Sequence, residues 1–259
     1  MRRTLVLLMP LLLLPLVAAA DECRYSAPRN LHDDLSGVRG VQIELHSHDM
    51  HLMGSGNSRS LEVTGRACAS SESKLSNLQV TSHREGDQLI IDVGGNNNID
   101  VSFFGVSYEN LDLQIQLPSS MPVTVNTGSG DAYVSGLSQV NAQTGSGDLH
   151  INDISGAVTV TAGSGDVEVA NIGSLRAGSV GSGDLKATTV RSDVHIGSVG
   201  SGDVELDQVS GSVDVGTLGS GDLTVRNVRG NLTVGAKGSG DVTHSNIGGS
   251  VNVPHDDDD

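Results

Sequence analysis

Tryptophan is absent, and the 259 residues contain two phenylalanines, at 103 and 104, and three tyrosines. A core made by this chain must therefore be packed with Val, Leu and Ile. The same shortage weighs against a solenoid polysaccharide lyase or hydrolase, since carbohydrate-active solenoids ordinarily combine clustered acids with aromatic platforms. Basic residues are also few: 15 Lys and Arg stand against 31 Asp and Glu, a net charge of −16. Such a chain repels phosphate backbones and anionic membranes, which excludes nucleic acid as an expected partner. Charged partners would be cationic or metal-bridged. Cysteine is limited to Cys23 and Cys68. In an oxidising compartment that pair reads most simply as one disulfide, stabilising the fold by about 4 kcal/mol on the chain-entropy model. Two separate free thiols are the alternative. No cysteine lies in the later part of the chain, so a catalytic thiol is not expected there.

Long apolar runs are confined to the start. Arg2 and Arg3 precede an apolar stretch from Leu5 to Val17, then Ala18, Ala19 and Ala20 before Asp21, the tripartite order of a cleavable secretory signal. The mature chain is expected to begin at Asp21. An uncleaved anchor is the competing reading, but the run falls short of the roughly 20 residues that span a bilayer. Glu22 precedes Cys23 where a lipidation site wants a small residue. Loss of the leader takes Lys and Arg from 15 to 13 against 31 acids, and the net charge from −16 to −18. No membrane span is expected in the mature chain, and helix signals are essentially missing after the leader.

What the chain has in quantity is a repeat. Gly-Ser-Gly-Asp occurs at 128, 145, 163, 181, 200, 219 and 238, and its aspartates, Asp131, Asp148, Asp166, Asp184, Asp203, Asp222 and Asp241, are separated by 17, 18, 18, 19, 19 and 19 residues. Within the unit from Gly200, Val204 and Leu206 alternate with polar neighbours, Val209 follows in a bend, and Val213 and Val215 alternate again before Leu218. Two short period-two runs mean two strands per unit. One such unit cannot bury its own apolar face, whereas stacked units turn each aliphatic column into a continuous ladder. The expected fold is all-β: a parallel β-helix, or β-solenoid, with rungs of about 18–19 residues. At a rise of about 4.8 Å, the seven motif-bearing rungs would make a rod roughly 30 Å long. Residues 21–122 are less regular. Strands are legible there in VQIEL (41–45), SLEVTG (60–65), LQVTSH (78–83), QLIIDV (88–93) and LDLQIQL (111–117), with a hairpin turn at REGDQ (84–88) and a degenerate motif, GSGN, at 54–57. This part is expected to form a β-rich N-terminal capping region, with Pro118 and Pro122 marking the transition.

The motif glycines allow backbone angles closed to other residues and let turns stack without Cβ clashes. Stacking would align seven carboxylates about 5 Å apart, a repulsion of under about 1 kcal/mol per pair in water and several times that near a protein surface. Either each carboxylate accepts hydrogen bonds from its own turn's backbone, as in Asx-turns, or a cation, calcium first, is shared along the ladder. Asn57 in the degenerate copy keeps the hydrogen-bonding geometry without the charge, which favours turn capping. No other cofactor is expected.

Outward positions on the first strand of each unit read Tyr133, His150, Glu168, Lys186, Glu205, Thr224 and Thr243. Glu168, Lys186 and Glu205 alternate in sign and suit a solvated ladder. His195 and Asp214 are candidate neighbours, without a third partner for catalysis. The other candidate site is HSHDMH, 46–51. On a strand, Glu44, His46 and His48 would share one face with Asp49 and His51 nearby, a donor set suited to zinc or copper; exposed polar positions on a strand explain it equally well. HDDDD, 255–259, follows Pro254. A proline and a charge block discourage end-to-end strand pairing; a disordered acidic tail is the alternative.

The leader, the β-rich lead-in, LQIQLPSSMPVTVNTGSGD (113–131) and the serial GSGD units together resemble the bacterial putative-adhesin family of β-strand-repeat envelope proteins, related to the head domains of autotransporter adhesins, over roughly residues 78–253. The resemblance implies a β-solenoid exported to the envelope, with no catalytic residues to carry over. The expected organisation is a leader at 1–20, a capping region at 21–122, the GSGD coil at 123–253 and an acidic tail at 254–259. The expected function is that of a noncatalytic exported adhesin or scaffold, in the periplasm, at the cell surface or secreted, that presents a regular acidic face to a protein or glycan of the envelope. The alternatives are a calcium-dependent binding module and a solenoid lyase or hydrolase.

Overall fold

Period-two alternation in the repeats is interrupted once per strand, and this interruption shapes the coil. Val204 and Leu206 point inward, two outward residues follow, and Val209 points inward again; Val213, Val215 and Leu218 repeat the pattern on the next strand, and all six are at most 1 % exposed. Gln208 makes this possible by adopting a left-handed backbone (φ 58) just before Val209. Val209 therefore belongs to the strand's end and not to a loop. The four turns from Gly145, Gly163, Gly181 and Gly200 each contribute six inward aliphatics in this way, whereas Thr144 and Lys237 take the sixth place in the turns from Gly128 and Gly219; burying each Val, Leu or Ile stabilises the fold by about 1.5–3 kcal/mol.

The computed structural model describes residues 23–94 and 108–254. The expected leader, Phe103 and Phe104, and the acidic stretch 255–259 lie outside the described residues. In chain order the elements are β1 (Tyr25–Pro28), β2 (Leu31–Asp34), β3 (Gly40–His46), β4 (Asp49–Gly54), β5 (Ser60–Ala69), the helix α1 (Glu72–Asn77), β6 (Val80–Glu85), β7 (Gln88–Val93) and β8 (Glu109–Leu117). The repeats supply β9 (Val123–Thr127), β10 (Ala132–Ser135), β11 (Val140–Thr144), β12 (Leu149–Asn152), β13 (Ala157–Ala162), β14 (Val167–Ile172), β15 (Ser174–Val180) and β16 (Leu185–Val190). They continue with β17 (Val194–Val199), β18 (Val204–Val209), β19 (Val213–Leu218), β20 (Leu223–Val228), β21 (Leu232–Lys237), β22 (Val242–Ile247) and β23 (Val251–Asn252).

From β9 onward, odd-numbered strands pair in parallel with odd, and even with even, which is the expected β-solenoid. Sheet I runs β1-β5-β8-β4-β10 and then through the even strands to β22, with β2 beside β5; sheet II runs β6-β7-β3-β9 and then through the odd strands to β23. Pairing keeps like columns together, as in Val204 beside Leu223, Leu206 beside Val225 and Val209 beside Val228.

The coil begins earlier than residue 123. β3 pairs in parallel with β9 and β7, and β4 with β10 and β8. Residues 40–54 and the strands β7 and β8 therefore form two further turns of the same stack, but out of chain order. The β7/β8 turn lies beneath β3/β4, and the segment from Pro118 to Pro122 carries the chain past the β3/β4 turn to β9. The far end is closed by antiparallel strands: β5 on β8, β1 and β2 on β5, and β6 on β7 through the expected hairpin, where Gly86 has φ 63. Antiparallel closure replaces an open parallel edge, the feature that invites strand addition. Cys23 and Cys68 form a disulfide (S–S 2.03 Å) that ties the start of the described chain to β5.

One helix was not anticipated. The Ser71 hydroxyl accepts the N–H of Lys74 (3.4 Å) at the start of α1, and Arg29 donates to the carbonyls of Leu75 (2.8 Å) and Leu78 beyond its end. Six residues with no buried member carry too weak a periodic signal to be read from sequence.

A Cβ added at Gly202 would sit 1.9 Å from the carbonyl oxygen of Gly183 one turn away. Gly202→Ala should therefore cost about 1–3 kcal/mol of stability and Leu206→Ala about 2–5 kcal/mol. Ser201→Ala, which keeps the Ser201 N–H bond to Gly181 (2.8 Å), should stay within about 0.5 kcal/mol, all measured by urea denaturation.

Candidate functional site

GSGD forms the corner from sheet II to sheet I. Stacked corners are laced through the backbone: the Ser146 N–H donates to Gly128 O (2.7 Å), Ser164 to Gly145 (2.7 Å) and Ser220 to Gly200 (2.8 Å). The aspartates add a second lacing. Asp148 N–H donates to Asp131 Oδ1 (2.9 Å), Asp166 to Asp148 (2.9 Å), Asp184 to Asp166 (2.8 Å), Asp203 to Asp184 (2.8 Å), Asp222 to Asp203 (2.8 Å) and Asp241 to Asp222 (2.9 Å). From Asp131 to Asp222 each carboxylate thus caps the next turn's N–H and not one in its own turn. Parallel stacking places that N–H directly beside it, whereas an Asx-turn would need the side chain to fold back over its own corner. Charge-assisted bonds of this kind offset the like-charge repulsion of the row.

The row starts one turn before the first GSGD, because Asp131 N–H donates to Asp49 Oδ1 (3.0 Å). Asp49 closes His46-Ser47-His48-Asp49, and this is the true degenerate corner: Gly128 and Ser129 donate to His46 O (2.7 and 2.9 Å), and a Cβ on Gly130 would lie 2.0 Å from His48 O. HSHDMH is accordingly not one strand. His46 ends β3 with φ 49, and Asp49 begins β4. GSGN, 54–57, is not a corner of the row; Gly54 stacks on Gly136 at the opposite corner, and Gly56 (φ 57) turns the chain toward β5.

The corner sends its three histidines in different directions. His46 Nε2 lies 3.4 Å from Asp92 Oδ1. His48 is half-buried beside Gly94. His51 reaches the outer face of sheet I and stacks on Tyr133, which stacks in turn on His150, with ring centroids 4.7 Å apart and planes within 12° and 7°. Among the described residues, no three His, Cys, Asp or Glu side chains gather as a set that could hold a metal, whether in the aspartate row or around His46, His48 and His51. The stack went unseen in sequence because His51 was grouped with its chain neighbours. Its signal was the spacing Asp plus two, shared by His51, Tyr133 and His150. Both faces of Tyr133 are covered, so sheet I presents ring edges and not an open aromatic platform.

The outward row continues through Glu168, Lys186 and Glu205, adjacent in register as expected. The contacts form elsewhere: Glu168 Oε2 lies 3.4 Å from His150 Nδ1, and Glu205 forms an ion pair with Arg226 (2.6 Å). His195 and Asp214 do meet, at 3.2 Å on sheet II. Between the aspartate row and these side chains lies a shallow groove of about 560 Å³, lined by Asp166, Glu168, Asp184, Lys186, Glu205 and Arg226 among others.

A family model described as Toastrack DUF4097 matches residues 38–253, which takes in the two out-of-order turns as well as every repeat. The chain belongs to that family. The match starts some way before the stretch that carried the sequence resemblance, in keeping with a coil that includes β3 and β4. Among solved structures, this Toastrack chain is similar to one from Bacteroides fragilis described as a "putative adhesin" (15% identity, 89% of this chain and 98% of that one, TM-score 0.49). It is also similar to one from Parabacteroides distasonis described as a "putative lipid binding protein" (17%, 84% and 96%, 0.49) and to one from Clostridium sporogenes described as a "putative cell adhesion protein" (11%, 85% and 100%, 0.39). No curated protein matches the chain.

If the aspartates serve the backbone, Asp203→Asn keeps an acceptor for Asp222 N–H and removes one charge from the row. It should leave the melting temperature unchanged or raised, while Asp203→Ala should cost about 0.5–2 kcal/mol. Burial pushes the His48 imidazole below its ordinary range; Glu109 and Asp49 act against this and His46 adds to it. The folded chain thus binds fewer protons than the unfolded chain below about pH 6.5, so the contribution of neutral His48 is full above that pH and declines as pH falls. His48→Gln should flatten the loss of melting temperature between about pH 7 and about pH 5 relative to the parent chain, as followed by circular dichroism.

Proposed function

We propose that this Toastrack protein is a noncatalytic, exported component of the bacterial cell envelope, an adhesin or scaffold whose outer faces hold a protein or glycan partner. The observation that carries the reading is the unbroken register of sheet I. From β4 to β22 each outward side chain stands beside its counterpart in the next turn, giving a stiff row of ring edges, carboxylates and amines with no hinge between turns. A row of this kind suits extended or repetitive partners, which gain by meeting the same geometry several times over.

Three further features support it. The disulfide suits an oxidising compartment. Among the described residues no helix is long and apolar enough to cross a membrane. In the aspartate row, one oxygen of each carboxylate that caps the next turn is already engaged in holding the coil together, which favours a structural role for the row over calcium binding.

Expressed from its own start codon in a bacterial host, the full chain should be recovered from the periplasm or the cell surface with Cys23 and Cys68 oxidised, as read by fractionation and thiol alkylation. Recovery in the cytoplasm with both thiols alkylated would contradict the proposal, as would reproducible depolymerisation of envelope glycans that is lost on Glu168→Gln or Glu205→Gln.

A further inference from the structure

On the corner opposite GSGD, each turn of the repeats reaches its third inward aliphatic, such as Val209, through one residue with a left-handed backbone. Gly136 holds that place first (φ 73), and six residues with side chains hold it from Asp153 to Asn246, with φ from 54 to 58. Glycine suits this conformation without a steric penalty, and Asn and Asp tolerate it. Thr189 is β-branched and Gln208 lacks a short polar group to bond locally, so each is held there against backbone strain. A turn that needed only the bend would keep glycine. Four successive turns keep instead Thr189, Gln208, Asn227 and Asn246, one hydroxyl and three amides in a column.

With Arg191 and Arg229 these side chains line an open groove of about 770 Å³. Its lining contains no carboxylate, in a chain where acids outnumber bases 31 to 15. It extends over four turns, about 14 Å along the coil. Its polar groups are braced: Thr189 Oγ1 donates to Gln208 Oε1 (3.1 Å), Asn246 Nδ2 to Asn227 Oδ1 (3.0 Å) and Asn227 Nδ2 to Asp207 Oδ1 (2.7 Å). Arg191 is held by Asn171 Oδ1 (2.6 Å) and Ile154 O (2.8 Å). The amide nitrogen of Gln208, the carbonyl oxygen of Asn246 and the whole guanidinium of Arg229 have no partner among the described residues.

We propose that this groove is a second binding site, separate from the GSGD face, and that, unlike the cationic partners expected from the net charge of the whole chain, its ligand is a carboxylate-bearing glycan drawn by the local Arg191 and Arg229. A guanidinium forks onto a carboxylate, and amides that present donor and acceptor side by side match sugar hydroxyls, which both donate and accept. A peptide would need apolar anchor pockets, and three of the groove's four aliphatics, Val190, Val209 and Val228, are only 1–2 % exposed, which leaves Ile247 at the last turn as the one partly exposed apolar side chain. A uronate chain fits: its carboxylate pairs with Arg229 while its hydroxyls bond Gln208, Asn246 and Thr189. This rests on the reading of the chain as a binding protein and names a ligand class for it. Purified protein tests it without reference to export.

The full chain, titrated with tetragalacturonate and followed by calorimetry and by backbone amide shifts, should bind saturably, with shifts confined to the turns around Arg229 and Gln208. Arg229→Gln and Gln208→Gly should each weaken binding at least tenfold, and Arg39→Gln, away from the groove, should not. Gln208→Gly relieves the left-handed strain, so its melting temperature should hold or rise, and loss of binding there is not loss of fold. Absence of saturable binding, full affinity in Arg229→Gln, or equal affinity for tetraglutamate or for a neutral galactan of the same length would each overturn the assignment. None of these results would bear on whether the chain is exported.

Discussion

A carbonyl oxygen occupies the space where the third residue of each motif would carry its Cβ. The distance to an added Cβ is 1.9 Å at Gly165, Gly202, Gly221 and Gly240, always from the glycine one turn before. Only a residue without a side chain permits that approach, and the approach sets the rest of the architecture. It brings the motif N–H groups within reach of the preceding corner's oxygens, fixes each turn in register with its neighbour, and so aligns the inward aliphatics into columns. The aspartate carboxylate extends the same lacing by one hydrogen bond per turn. What looks in sequence like a functional signature is first a device for stacking backbone on backbone.

That device accounts for what was legible in the sequence. Seven near-identical corners at steps of 17 to 19 residues specify the coil, its two strands per turn, its aliphatic interior and the outward row from Tyr133 to Thr243. The disulfide followed from having two cysteines and no others. Less was legible where the same geometry is met by different residues. His46-Ser47-His48-Asp49 builds the corner with histidines in both glycine places, and only its aspartate betrays the kinship. GSGN has the letters and not the place. The insertion of β3 and β4 between β7/β8 and β9/β10 could not be read either, because a stack assembled out of chain order leaves no local mark; Pro118 and Pro122 signal a crossing and look the same as a boundary.

The two corners of the coil use their polar residues differently. On the GSGD side, one carboxylate oxygen per turn is committed to the next turn's backbone, and the nearby basic groups of His150 and Arg226 are engaged with Glu168 and Glu205. On the opposite side the backbone bend needs no side chain, yet hydroxyl and amide groups accumulate there beside an arginine with no partner among the described residues. Residues that the fold requires and residues that the fold merely tolerates are thus separated onto different edges, and the second kind offers the better guide to what the surface meets.

The central claim is that turns from β10 to β22 stack in one direction with a constant rise, and pairwise distances along one outward column test it most directly. Spin labels on Tyr133 and Thr243 are six turns apart and should lie about 29 Å apart between backbones. Moving the second label back to Thr224, Glu205 and Lys186 should shorten the distance in equal steps of about 4.8 Å. Unequal steps, or a distance that grows as the sequence separation falls, would contradict a single continuous coil.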